Sequence, residues 1–262
     1  MNIHEMMREM LDLVFPPACV ACGRVGEVGL CETCAREIVP VEPPQCSHCG
    51  EPFDPNIQRP PQICITCRSD LSPFDGARAL ALHTGPLRRV IITYKFQGRT
   101  RLAPYLADLL MELIATEPER DWPLPLDDAD VVMPVRLHPD RLRWRGFDQA
   151  VLIARELAPK LDMPLVEDNL QRIKPTLPQI GLSPQQRRDN LKNAFSIQRP
   201  AEVAGKSVLL IDDVYTTGAT ASDASRAVQA AGAVRVFFLT VTRSVPAWHP
   251  AAQVQEPPVS SP

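Results

Sequence analysis

Between residues 77 and 243 the apolar positions follow two alternating periods. Short continuous or alternating runs at 77–83, 130–135, 208–211 and 234–241 predict strands, and runs spaced three and four apart at 87–95, 102–115, 149–160 and 221–231 predict helices. Residues 169–173 and 194–197 predict further extended segments. The run 208–211 is apolar at every position, which predicts a strand buried on both faces, as at the centre of a parallel sheet. Strands that alternate with helices predict an α/β domain over 76–243, with a mostly parallel sheet flanked by helices. Within it, 117–128 carries three prolines among acidic residues and predicts a surface loop. At the start of the chain, Ile3, Met6, Met10 and Leu13 fall at helical spacing, predicting a short amphipathic helix over 1–15 that packs on its neighbour. At its end, 244–262 is rich in Pro, Ser and Gln and predicts a disordered tail.

Residues 16–75 break this pattern, being rich in Cys, Pro and Gly with little apolar period. The chain's eight cysteines all lie here, as the pairs Cys19/Cys22, Cys31/Cys34, Cys46/Cys49 and Cys64/Cys67. A two-residue spacing lets one tight turn aim both sulfurs at a single ion, and a second pair completes a tetrahedral shell. Gly23 and Gly50, each directly after a pair, permit the positive φ such a turn often needs. The expectation is a small N-terminal Cys-rich double zinc ribbon holding two structural Zn2+ ions, since an all-cysteine shell leaves no open position for chemistry. A reducing compartment disfavours disulfides, and four regular pairs disfavour a redox dithiol. Sequential quartets (19/22/31/34 and 46/49/64/67) and a cross-braced arrangement both remain open. His48 reads as a surface residue rather than a ligand.

A formal charge of −3 and a pI near 6.0 remove the argument for nucleic-acid binding from global charge. Glu5, Arg8, Glu9 and Asp12 interrupt every apolar run in the first eighteen residues, so neither a signal peptide nor a membrane span is expected there, and the chain reads as cytoplasmic. No pattern in the chain speaks to its oligomeric state.

The candidate chemistry lies where strand 208–211 ends. Asp212 and Asp213 follow it, then Thr216, Thr217, Gly218, Ala219 and Thr220, then the helix. A turn from a strand's carboxyl end to a helix's amino end presents free N–H groups and the positive end of the helix dipole, which favour a phosphate. Gly218 allows close approach, and the threonine hydroxyls add donors. The carboxylates would repel a phosphate but suit a ribose diol or Mg2+ beside it. After strand 130–135, Arg136, Arg141, Arg143 and Arg145 stand against Asp140 in a basic loop, placed to neutralise a pyrophosphate. Residues 174–193, with Gln179, Ser183, Arg187, Arg188 and Asn190, lie between two extended segments, and their position and polarity resemble those of the flexible loop that closes over the ligand in type I phosphoribosyltransferases.

The run from Val208 to Thr220 resembles the signature for phosphoribosyl pyrophosphate (PRPP) in type I phosphoribosyltransferases. That resemblance implies that Asp212 and Asp213 hold the ribose hydroxyls and that Thr216, Thr217, Gly218, Ala219 and Thr220 hold the 5′-phosphate, with Mg2+ accompanying PRPP. Lys95, Arg136, Arg145 and Arg187 are the basic residues assigned to the same ligand. Further blocks follow the order of the ComF family: the cysteine pairs, Tyr94-Lys-Phe-Gln-Gly-Arg99, Arg145-Gly-Phe-Asp-Gln149, and Gln179-Ile-Gly-Leu-Ser183 with Arg187, Asn190 and Ala194-Phe195. The resemblance covers roughly residues 11–243, with Asp148 standing where the family usually has Asn. It implies a zinc ribbon fused to a type I phosphoribosyltransferase-like domain, and a role in handling incoming single-stranded DNA alongside other competence proteins. Two functions follow: phosphoribosyl transfer from PRPP to an acceptor, or binding of PRPP or a 5′-phosphate without turnover. In the second, single-stranded DNA would follow Lys95/Arg99/Arg101 and residues 136–145, stacking on Trp144 or Phe147.

Overall fold

A central strand buried on both faces organises the molecule. In the computed structural model, which describes residues 16–69, 72–117, 123–174 and 193–252, strand β5 (Ser207–Tyr215) lies inside a four-stranded sheet. It pairs with β2 (Val131–Pro134) and β6 (Arg235–Arg243), and β1 (Gly76–Leu82) pairs with β6, in the order β1-β6-β5-β2 and all parallel. Successive side chains of a strand alternate between faces, so each face builds its own core. Leu209, Ile211, Phe237 and Leu239 pack against α3 (Gly85–Phe96), α4 (Ala103–Thr116) and α6 (Gln149–Lys160). Val208, Leu210, Val236 and Phe238 pack against α7 (Ala219–Ala230) and the antiparallel pair β3 (Leu170–Arg172) and β4 (Phe195–Ile197).

The cysteine module spans both cores. Cys19, Cys31 and Cys34, beside the single-turn α1 (Glu32–Ala35), join the α3/α4 core, whereas Cys46, Cys49, Cys64 and Cys67, beside α2 (Ile65–Ser69), join the α7 core. The chain between the quartets pairs along β1, with Val41 N donating to Leu80 O at 2.9 Å and Leu82 N to Val39 O at 2.8 Å. On the far edge, Val132 N donates to Pro164 O and Val166 N to Val132 O, both at 2.9 Å.

Every predicted strand and helix that falls on described residues is present, with ends shifted by up to a few residues. Four expectations change. Strand β5 runs on through Tyr215, so the acidic pair sits within it rather than beyond it. The basic loop after β2 contains a helix, α5 (Pro139–Arg145), begun by Pro139 and ended by Gly146 at φ 82°. Glu117, expected in a surface loop, is buried: it accepts from Arg78 Nε at 2.8 Å and from Leu124 N at 3.0 Å, and Leu124 and Leu126 are buried with it. Nor does the chain leave the fold at Arg243, since Ser244 N donates to Tyr215 O at 2.8 Å and Pro250–Ala252 form a 3-10 turn. The expected helix at 1–15, residues 175–192 and the remainder of the tail lie outside the described residues.

Candidate functional site

A cavity of about 670 Å3 opens where the carboxyl ends of β2 and β5 meet α3, α5 and the start of α7. This is the ligand position of an open parallel sheet. Gly218 caps α7 at φ 77°, and a Cβ there would stand 2.3 Å from the Tyr215 hydroxyl, so both conformation and space demand glycine. Thr216, Gly218 and Thr220 line the cavity; Ala219 is buried in the first helical turn, and the Thr217 hydroxyl is buried without a hydrogen-bond partner. A buried hydroxyl without a partner costs about 1–3 kcal/mol, and Thr217 is not among the residues that line the cavity.

Asp212 and Asp213 both line the cavity. Lys95, near the end of α3, reaches Asp213 Oδ1 at 2.8 Å, while Asp213 Oδ2 is buried without a partner. Asp212 Oδ1 accepts from Asp213 N at 2.8 Å. Burial, reinforced by the Asp213 charge and opposed by Lys95, pushes the Asp212 carboxyl well above its ordinary value of 3.8. Two carboxylates with an unused buried oxygen fit a divalent cation or a ribose diol.

The basic segment divides. Arg136, Arg141 and Arg145 line the cavity, whereas Arg143 pairs with Asp140 and stays 73% exposed. Arg136 is held at 2.5 Å from Asp168. Arg145 donates to Gln149 Oε1 at 2.6 Å, and its guanidinium lies 5.2 Å from the centre of the Phe96 ring, leaving Nε buried without a partner. Burial lowers the Arg145 pKa, and the nearby Asp213, Asp148 and Asp212 carboxylates oppose that shift. Asp148 caps α6 and accepts from Leu137 N at 2.8 Å, a task in which a carboxylate replaces an amide oxygen. Of the two rings expected to stack on bases, Trp144 is 75% exposed at the cavity rim beside Phe96, with ring centres 6.4 Å apart. Phe147 is half-buried and packs against Tyr94, with ring centres 5.6 Å apart. Arg187 lies outside the described residues.

Two cavity residues carried no sequence signal. Arg172 enters from β3 with its guanidinium 5.4 Å from the Phe195 ring, and burial lowers its pKa from 12.5 to about 10, so it stays cationic at neutral pH. Tyr215 ends β5 beneath Gly218, and burial raises its phenol well above the ordinary 10.0. In sequence, the first is one more arginine in an extended run, and the second is one aromatic among the apolar residues of a strand.

The cysteines separate into sequential quartets, Cys19/Cys22/Cys31/Cys34 and Cys46/Cys49/Cys64/Cys67, each with its sulfurs within 4.8 Å of one another. Cross-bracing is thereby excluded. All eight are free thiols and seven are buried, a donor set consistent with two structural zinc ions. His48 is half-buried rather than on the surface, stacked on Phe74 at 4.8 Å and 3.2 Å from Ser72 O, and it belongs to neither quartet.

All-cysteine quartets docked on a parallel sheet, with an acidic pair and a glycine-hinged turn at a strand's carboxyl end, define a double-zinc-ribbon protein with a ligand cavity in its α/β domain. The double zinc ribbon domain family matches residues 10–68. The chain is 33% identical over 230 residues to competence protein F of Haemophilus influenzae, covering 86% of this chain and 96% of that one. It is 30% identical over 236 residues to the DNA utilization protein YhgH of Escherichia coli K12, covering 88% and 99%. The chain therefore belongs to the ComF family of competence-related proteins. Solved structures similar to it include an adenine phosphoribosyltransferase, at 16% identity and TM-score 0.32 over 59% of this chain and 84% of the other. A phosphoribosylpyrophosphate synthetase from Mycobacterium smegmatis gives 18% identity and TM-score 0.31 over 58% and 36%. Among the described residues, no helix is long and apolar enough to cross a membrane.

Proposed function

We propose that the cavity binds Mg2+·PRPP and that the protein transfers its phosphoribosyl group to an acceptor during DNA handling in the cytoplasm. The observation that carries this reading is one cavity lined by Asp212 and Asp213, with Asp213 Oδ2 buried and unpartnered, and by Thr216, Gly218 and Thr220 of the glycine-hinged turn. The carboxylates suit a ribose or metal and the turn suits a phosphate. The turn from Thr216 to Thr220 holds the 5′-phosphate, and Asp212 and Asp213 hold the ribose. Arg145 and Arg136 face the pyrophosphate, and Mg2+ neutralises part of its charge. In the transfer, the bond from C1 to pyrophosphate breaks, pyrophosphate leaves with the electron pair, and the acceptor's lone pair forms the new bond as its proton is lost. The chain's contribution is positioning and charge neutralisation. Calorimetry with PRPP and Mg2+ tests the pocket: binding is expected in the wild type and absent in Asp213→Asn, and a silent wild type rejects the assignment. Pyrophosphate release across a panel of nucleobases and DNA ends tests the transfer.

The exposed Trp144 and Phe96 at the same rim favour a second reading, a binding protein for the 5′-phosphorylated end of single-stranded DNA that also contacts other competence proteins. Quenching of tryptophan fluorescence by such a strand, lost in Trp144→Ala and displaced by PRPP, would support it. Quenching retained in that variant would reject it.

A further inference from the structure

Beneath the turn that caps α7 lies the second cysteine quartet, joined to it by two separate sets of contacts. In the first, the buried Arg243 donates from Nη1 to the carbonyl of Cys49 at 2.9 Å and pairs through Nη2 with Glu51. The same guanidinium lies 5.1 Å from the centre of the Tyr215 ring, and the Tyr215 hydroxyl occupies the space a Cβ on Gly218 would need. A metal ligand, a buried cation, an aromatic ring and the hinge of the turn are thus stacked in succession. In the second, His48, between the ligands Cys46 and Cys49, lies 3.2 Å from Ser72 O, and Ser72 Oγ accepts from Ser222 Oγ at 2.8 Å. Ser222 belongs to the first turn of α7, and its backbone N donates to Gly218 O at 2.8 Å.

The first quartet contacts other elements, α3 and α4, on the opposite core from α7. Gly29 backs onto the ring of Tyr105 in α4, and Arg89 of α3 donates to Ala21 O at 3.1 Å. Its ligands Cys19, Cys31 and Cys34 pack in the core on the far face of the sheet from α7.

We propose that metal occupancy of the second quartet, transmitted by Arg243 and Tyr215 as positioning residues, sets the affinity of the α7 turn for its phosphate ligand, whereas the first quartet serves stability alone. This rests on the reading of the turn as a PRPP site. Without an ion the four thiolates and the Cys46–Cys49 hairpin lose their common anchor, and the Cys49 carbonyl that orients Arg243 is released with them. Tyr215 then loses one wall of its packing, and the Gly218 hinge loses the hydroxyl beneath it.

Binding linkage is reciprocal, which gives a test on the unmodified, zinc-loaded chain. Zinc affinity is measured by equilibrium competition with a chelator, with and without Mg2+·PRPP, and the two sites are assigned from Cys31→Ser and Cys64→Ser. PRPP is expected to tighten zinc at the second quartet by about fivefold or more and to leave the first unchanged. Equal tightening at both sites, or at neither while calorimetry still shows PRPP binding, overturns the coupling and leaves the PRPP reading standing. Absence of PRPP binding overturns both. A second measurement uses Tyr215→Leu, expected to keep two zinc ions per chain yet weaken PRPP binding by about tenfold, the equivalent of about 1.4 kcal/mol. Unchanged PRPP affinity in that variant refutes Tyr215 as the link.

Discussion

The two segments that leave the sheet toward the cavity solve different problems. The turn after β5 is short and glycine-hinged, and it buries a hydroxyl it cannot satisfy alone. The segment after β2 is longer and carries four arginines, of which two are paired with carboxylates, Arg136 with Asp168 and Arg143 with Asp140, while Arg145 is held by the neutral amide of Gln149 and keeps its charge uncompensated there. A high count of basic residues is therefore a poor guide to a site. What distinguishes a binding group here is an unused donor or acceptor held in place by burial.

The sharpest way to break that contrast is Gly218→Ala. It forces a side chain to φ 77° and into the Tyr215 hydroxyl, so PRPP binding should vanish in calorimetry, with stability falling by about 1 kcal/mol or more in urea unfolding. On the basic segment, Arg145→Ala should weaken PRPP by about 1.5–3 kcal/mol, the worth of a hydrogen bond from a charged donor, in the same titration. Asp212→Asn should separate ligand binding from stability. An acid whose folded pKa is raised above its ordinary 3.8 makes the fold lose stability as pH rises through the raised value, because the unfolded chain gives up that proton first. The variant should therefore lose PRPP yet unfold at higher urea, with a gain of about 1 kcal/mol at about pH 8 that disappears at about pH 4. The mildest test is Arg143→Ala, whose partner and surroundings are solvent-exposed. Stability and PRPP affinity should both stay within about 0.5 kcal/mol of wild type.

The sequence made some of this plain and hid the rest for identifiable reasons. Cysteine spacing is local, so the four pairs and their fitness for zinc are legible directly, and the choice between sequential and cross-braced ligands is settled only by which pairs meet in space. The turn from Thr216 to Thr220 was equally plain, since strand, glycine and helix are contiguous. Helix α5 was hidden because its residues are charged and its apolar stripe is minimal, leaving Pro139 and Gly146 as its only signals. The link from Cys49 through Arg243 to Tyr215 was invisible because Cys49 and Arg243 lie 194 positions apart, and a lone arginine ending an apolar strand reads as a solvated terminus. Arg243 is instead fully buried, as is Arg78 against Glu117. Buried charge of this kind is never predicted from hydropathy.

The strand pairing at the two sheet edges has a further consequence. Strand β1 presents its outer backbone groups to residues 39–41, and that short stretch hangs between the two cysteine quartets. Zinc bound at the quartets would therefore hold in place the cover over that edge strand. A chain stripped of metal would uncover a row of unpaired amides and carbonyls beside apolar side chains, the template along which sheets join between molecules. Metal loss is expected to show itself as aggregation before it shows as unfolding, with light scattering rising at chelator concentrations that leave the helical signal intact.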